Sequence, residues 1–200
     1  MKKAITLSIS FSALILLSFT LTSPINNCYL SFSKANKLVM MPPEHMPEEN
    51  DHTRSLATEK GNINITILDG YRVLYNNNKN VPFVNLKVER SKPDVYETDK
   101  ANLLANLSYL NSHSSGMETK DLIVLNYNGF KIYGLSRNGI EAGSTLGIFI
   151  MFPGDDTTVY FYFNNLKPEF RNFESLDDYK AQRNTFIADY TKHLVACKGK

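Results

Sequence analysis

Tryptophan is absent from the 200 residues, cysteine occurs twice and histidine four times. So little sulfur and imidazole excludes the ligand-dense zinc modules and the disulfide-rich scaffolds. No phosphate-cradling glycine loop, dinucleotide fingerprint, serine elbow or paired-histidine zinc motif occurs. An excess of one charge is missing as well. The chain has 22 Lys and Arg against 20 Asp and Glu, and its +2 surplus equals Lys2 and Lys3 of an N-terminal leader. A balanced chain lacks the clustered positive charge that displaces counterions from nucleic acids or anionic membranes, so neither is an expected partner. What is present, 42% hydrophobic and 21% charged residues, suffices for one well-cored domain and not for two large ones.

Met1-Lys2-Lys3 precedes an uncharged stretch, Ala4 to Thr22, densest at Ala13-Leu14-Ile15-Leu16-Leu17. A positive start followed by a short apolar run is the physical signature of a secretory signal peptide, expected over residues 1–23. Its Ser and Thr content argues against a retained membrane span. Export places Cys28 and Cys197 in an oxidising compartment, where two cysteines of one chain are most simply a disulfide. Lipidation of Cys28 and two free thiols are the alternatives. The expected location is periplasmic or secreted, with membrane attachment only through an uncleaved leader or a lipidated Cys28.

Residues 24–60 carry Pro24, Pro42, Pro43 and Pro47 with the acidic run Glu48-Glu49-Asn50-Asp51, and read as a flexible arm. From 61 to 200 the pattern predicts one α+β domain. Ile63, Ile65 and Ile67 alternate with other residues, Asp69-Gly70 reads as a hairpin turn before Tyr71 to Tyr75, and Pro82 to Arg90 reads as a third strand. Asp94 is the expected N-cap of a helix, with Glu97 its capping-box partner and a stripe of Tyr96, Leu103, Leu104, Leu107 and Leu110. Four strands follow as a meander, 121–127, 130–136, 145–152 and 157–163, its first turn marked by Asn128-Gly129. A second helix is capped by Ser175 and carries Tyr179, Phe186, Ile187, Tyr190 and Leu194 on one face.

The predicted order is βββ-α-ββββ-α around a mostly antiparallel sheet. Leu146 to Phe152 and Thr158 to Phe163 are apolar or aromatic on both faces, as strands covered on both sides are. That pattern predicts an α/β/α sandwich. The strand Val84 to Arg90, the helix, a meander containing Lys131-Ile132-Tyr133-Gly134, the Tyr/Phe-rich strand and the closing helix together resemble the PsbP-like and DcrB-like envelope proteins. The resemblance spans roughly residues 62–195 and lies in element order. It implies an exported accessory or binding role without catalysis, toward a protein partner or a small ligand.

No catalytic set, metal site or cofactor is expected. The four histidines are dispersed, and neither cysteine neighbours one. Met40, Met41, His45, Met46 and His52 are the type of ligand soft Cu(I) prefers, but nothing in the arm fixes a geometry, so accidental placement is the favoured reading. Asp155-Asp156 reads as a turn rather than a cation site. Tyr133, Tyr160 and Tyr162, with Phe149 and Met151, are expected on one face of the meander, as core under a helix or as a binding platform if open. Arg137, Arg171 and Arg183 would collect an anion if they converged, and the loop Asn164 to Arg171 is a recognition candidate. The enzymatic alternative is a site assembled in three dimensions around Arg137, Tyr162 and Arg183.

Overall fold

The computed structural model describes residues 25–38, 41–46, 52–75, 83–141 and 145–199. Among these the chain is a mixed α+β fold, with three α-helices and one large sheet of eight strands whose paired neighbours are all antiparallel. In chain order the elements are α1 (Phe32–Asn36), β1 (Glu44–His45), β2 (His52–Thr58), β3 (Gly61–Tyr75), β4 (Val84–Ser91), α2 (Tyr96–His113), β5 (Ile123–Tyr127), β6 (Phe130–Ser136), β7 (Thr145–Gly154), β8 (Thr157–Asn164) and α3 (Leu176–Lys198). The strands lie in the order β1-β3-β4-β8-β7-β6-β5, with β2 also on β3. Two antiparallel groups, β2 to β4 and β5 to β8, are joined where β4 and β8 pair from Val84↔Phe163 to Arg90↔Thr157.

Successive side chains of a strand leave opposite faces, and β8 shows the division. Val159, Phe161 and Phe163 join Val84, Leu86 and Val88 in a core with Tyr179, Phe186, Ile187, Tyr190 and Leu194 of α3. Tyr160 and Tyr162 belong to a second cluster with Ile65, Ile67 and Ile150 and with Leu103 and Leu107 of α2. Gly134 lies opposite Phe149 on β6 and β7, and a Cβ there would stand 2.1 Å from the ring. The missing side chain is the space the ring occupies.

The expected hairpin at Asp69-Gly70 is instead the middle of one 15-residue strand. The pairing of β3 with β4 shifts between Ile67 and Asp69, a β-bulge at Leu68. An extra residue in a strand exchanges its faces, so Ile65 and Ile67 enter the α2 cluster while Val73 and Tyr75 enter the α3 core. The turn lies earlier, at Glu59-Lys60, where Thr58 pairs with Gly61 and Gly61 has φ 104°. Asn128 and Gly129, with φ 51° and 85°, form the expected hairpin turn.

The arm is corrected too. Residues 52–58 form β2, and residues 25–38 form a short helical segment whose Ile25, Tyr29, Leu30 and Phe32 are buried in the α3 core. Four such side chains contribute on the order of 1.5–3 kcal/mol each before the entropy of ordering the segment is subtracted. The structure joins Cys28 to Cys197 in a disulfide with Cα atoms 5.7 Å apart, across 169 residues. Helix α2 starts later than expected, and Val95 is its N-cap without a side-chain hydrogen bond, so Asp94 does not cap it. Ser175 caps α3, its Oγ accepting from the Asp178 backbone N–H at 3.1 Å.

Candidate functional site

On the α2 face the aromatic strand meets charge. Arg54 reaches inward from β2 and donates from both terminal nitrogens to the two carboxylate oxygens of Glu89, at 2.9 Å each. The same guanidinium donates to the Tyr160 hydroxyl at 2.8 Å and lies 5.3 Å from the centre of its ring. Lys87 also pairs with Glu89. Glu89 and Tyr160 are each 2% exposed, and the rings of Tyr160 and Tyr162 stack 6.0 Å apart. Two cations and one carboxylate therefore share a mostly dry seam, and planar bidentate geometry makes Arg54 its organiser.

Burial governs the acidities here. It pushes the Tyr160 hydroxyl well above its ordinary range, with Glu89 adding to the rise and Arg54 opposing it. Tyr162 is pushed up to about 12 by burial, against the pull of Arg54. Asp99 of α2, 4% exposed, is raised by burial and held back by Ser91, the Thr66 N–H and Arg54. Neutral phenols beside a closed ion cluster can accept and donate hydrogen bonds, but they are no nucleophiles at ordinary pH. Next to Tyr162, across from it on β4, the buried Asn85 Oδ1 has no partner among the described residues. This leaves one unsatisfied acceptor at the edge of the seam.

Of the predicted platform, Tyr160 is core and Tyr162 and Tyr133 are half-buried toward α2, whereas Phe149 and Met151 pair with Phe161 and Val159 and lie on the other face, in the α3 core. An open aromatic platform is therefore not what the face presents. Tyr133 lies 6.5 Å from Phe152, with the Lys131 ammonium 5.1 Å from its ring. The three arginines do not converge. Arg137 donates from Nε to the Thr145 carbonyl at 3.2 Å and from a terminal nitrogen to the Ser115 carbonyl at 3.1 Å. Arg171 donates to the carbonyls of Leu166 and Ile140 at 2.8 and 3.0 Å. Arg183, 3% exposed, faces Glu118 at 3.5 Å and lies 4.8 Å from the Phe149 ring centre, in the α3 core. Tyr162 is on the α2 face, so the proposed constellation of Arg137, Tyr162 and Arg183 is divided by the sheet.

The remaining candidates have structural partners. His45 Nε2 lies 2.6 Å from Asp69 and its ring stacks on Tyr71 at 4.6 Å. Met40 and the His52 side chain lie outside the described residues, as does the leader. Asp155 and Asp156 are turn residues with φ 55° and 52°, and Asp155 accepts from Lys198 at 2.6 Å. Phe170, in the predicted recognition loop, is 65% exposed. Among the described residues no group of three or more His, Cys, Asp or Glu is placed to hold a metal, and no helix is long and apolar enough to cross a membrane. A shallow recess of about 470 Å³ lies between the end of α2 and the following loop, bounded by Asn111, Met117 and Glu118. Sequence reasoning missed Arg54, Lys87 and Glu89; an isolated arginine between Thr and Ser in a polar strand carries no signal of facing inward.

No family model matches the chain, and no curated protein or solved structure matches it either.

Proposed function

We propose that the protein is an exported cell-envelope accessory protein that binds a protein partner or small ligand without transforming it, built as an α/β/α sandwich of the kind its element order resembles. The observation that carries this reading is the Cys28–Cys197 disulfide, which ties the first described segment to the last helix. A bond of this type persists where the surroundings are oxidising. The sandwich reading is supported by the two clusters, one holding α2 residues and the other α3 residues on alternate positions of β8. The absence of catalysis is supported by the engagement of Arg137, Arg171 and Arg183 with carbonyls or Glu118.

A ligand would meet the half-buried Lys87 and Tyr162 at the edge of the seam, a phenol beside an ammonium that keeps donors beyond its Glu89 contact. Fractionation of cells producing the full chain tests the reading. The expected result is a protein in the envelope or medium, shortened at its N-terminus and lighter by the two hydrogens of an oxidised cysteine pair. A full-length, reduced protein retained in the cytoplasm would contradict it.

A further inference from the structure

The segment 25–38 has the properties of a docked ligand. The backbone hydrogen bonds of Tyr29, Leu30, Ser31 and Lys34 close within the segment itself, on Asn26, Asn27 and Ser31. The segment meets the body through its side chains and through the Tyr29 carbonyl. Phe32 inserts among Tyr75, Phe186 and Tyr190, with ring centres 5.8, 5.6 and 5.4 Å away. The Tyr190 hydroxyl donates to the Tyr29 carbonyl at 2.9 Å and Lys198 donates to the Tyr29 hydroxyl at 2.6 Å. Beneath it, the Tyr75 hydroxyl is fully buried without a hydrogen-bond partner among the described residues, a state that admission of water would relieve. Lys37 ends α1 in the left-handed region, φ 52°, which a side chain disfavours.

We propose that Cys28–Cys197 is an exchangeable clasp, and that its reduction releases residues 25–38 and opens an aromatic groove, floored by Tyr75, Phe186 and Tyr190, that takes a helical segment with an aromatic anchor. Cys197 is the less buried of the two cysteines, and its Sγ lies 3.9 Å from Ser31 Oγ, which in turn is 2.9 Å from His193 Nε2. A dithiol reductant attacks Cys197 through its thiolate, the S–S bond breaks, and Cys28 leaves with the electron pair and takes a proton. The reductant's second thiolate then closes its own disulfide and releases Cys197, which is protonated in turn. Two electrons and two protons pass from the dithiol to the protein.

The segment that leaves sets the chemistry of the one that enters, so the probe is a synthetic peptide of residues 25–38 with Cys28→Ser. Hydrogen exchange on the full chain, oxidised and dithiol-reduced, is measured with and without this peptide. Reduction is expected to accelerate exchange in 25–38 at least tenfold more than in β4 and β8, which lose only what the lower global stability removes. The reduced protein then binds the peptide and the oxidised protein does not, and a Phe32→Ala peptide binds neither. Unchanged exchange of 25–38 on reduction would overturn the proposal, as would failure of the reduced protein to take up the peptide or an equal acceleration in β4, β8 and 25–38. The Cys28→Ser/Cys197→Ser variant should behave as the reduced wild type; if it does not fold, reduced wild type still gives every readout.

Discussion

The two faces of the sheet are held by different physics. Toward α3 the packing is mainly aromatic, with one buried cation, Arg183, facing Glu118 and the Phe149 ring. Phe161 lies 5.3 Å from Tyr190 and 6.3 Å from Phe186, edge to face, and Phe163 meets Tyr179, Phe186 and Phe149 in the same way. Such pairs add about 0.5–1.5 kcal/mol each to the burial they accompany. Toward α2 the same strand presents Tyr160 to a guanidinium, and Glu89 is buried between Arg54 and Lys87. A buried ion cluster adds little net stability compared with an apolar replacement, because desolvation offsets its attraction. It does penalise error. Shifting β2 by one residue would turn Arg54 to solvent and leave Glu89 with one cation fewer. The aromatic face thus supplies stability, and the charged face selects the register of an otherwise polar edge strand.

This contrast can be broken from either side. The largest effect should come from the clasp over the aromatic face. Cys197→Ser is expected to lower unfolding free energy by roughly 4–5 kcal/mol on the chain-entropy model, read as a lower denaturant midpoint. Phe161→Ala, which empties the centre of the aromatic face, should cost about 4 kcal/mol in the same assay. Glu89→Leu should cost about 3 kcal/mol because it strands two cations. A smaller effect separates the faces by pH. Burial pushes both Tyr162, toward α2, and Tyr179, toward α3, up to about 12. A phenol raised in the folded state holds its proton longer there than in the unfolded chain. Its stabilising contribution is complete below the ordinary value of about 10 and is lost as pH rises from there through 12. Tyr162→Phe should therefore flatten the alkaline loss of stability, whereas Tyr179 should continue to contribute its own share. An unchanged slope in the Tyr162→Phe protein would remove Tyr162 from that account.

What could be read from the sequence follows the same division. The second meander was legible because Asn128-Gly129 and the doubly apolar β7 and β8 are strong local signals, and β7, β8, α3 and its Ser175 cap lie close to their expected bounds. The first group was harder. Asp69-Gly70 has the composition of a turn, yet it stays in the strand. Asp69 is engaged by His45, and its Oδ1 accepts from the Gly70 backbone N–H at 3.0 Å. The bulge at Leu68 has no sequence mark of its own. Strand β2 was hidden because its inward residues pair one charge, Arg54, with a single buried leucine, Leu56, and inward charges are a device of edge strands rather than a hydrophobic signal. The segment 25–38 was hidden because its apolar residues sit among polar ones in no sustained period, and only the α3 surface shows what they cover. Among the candidate site residues, Tyr160 and Tyr162 were placed together correctly by alternation. Arg137, Arg171 and Arg183 were not, since the spacing of long side chains in loops and helices says nothing about the carbonyls they reach.

The central claim is that the charge on the α2 face is a closed set that fixes register and is not itself the source of stability. A double-mutant cycle on Arg54 and Glu89, followed by equilibrium denaturation, tests it most directly. Arg54→Met and Glu89→Leu should each be destabilising, while the combined variant should lie above the sum of the singles by about 1–3 kcal/mol, because it leaves only the partly exposed Lys87 without its carboxylate. Strictly additive losses would contradict the claim and make each charge a separate contributor to stability.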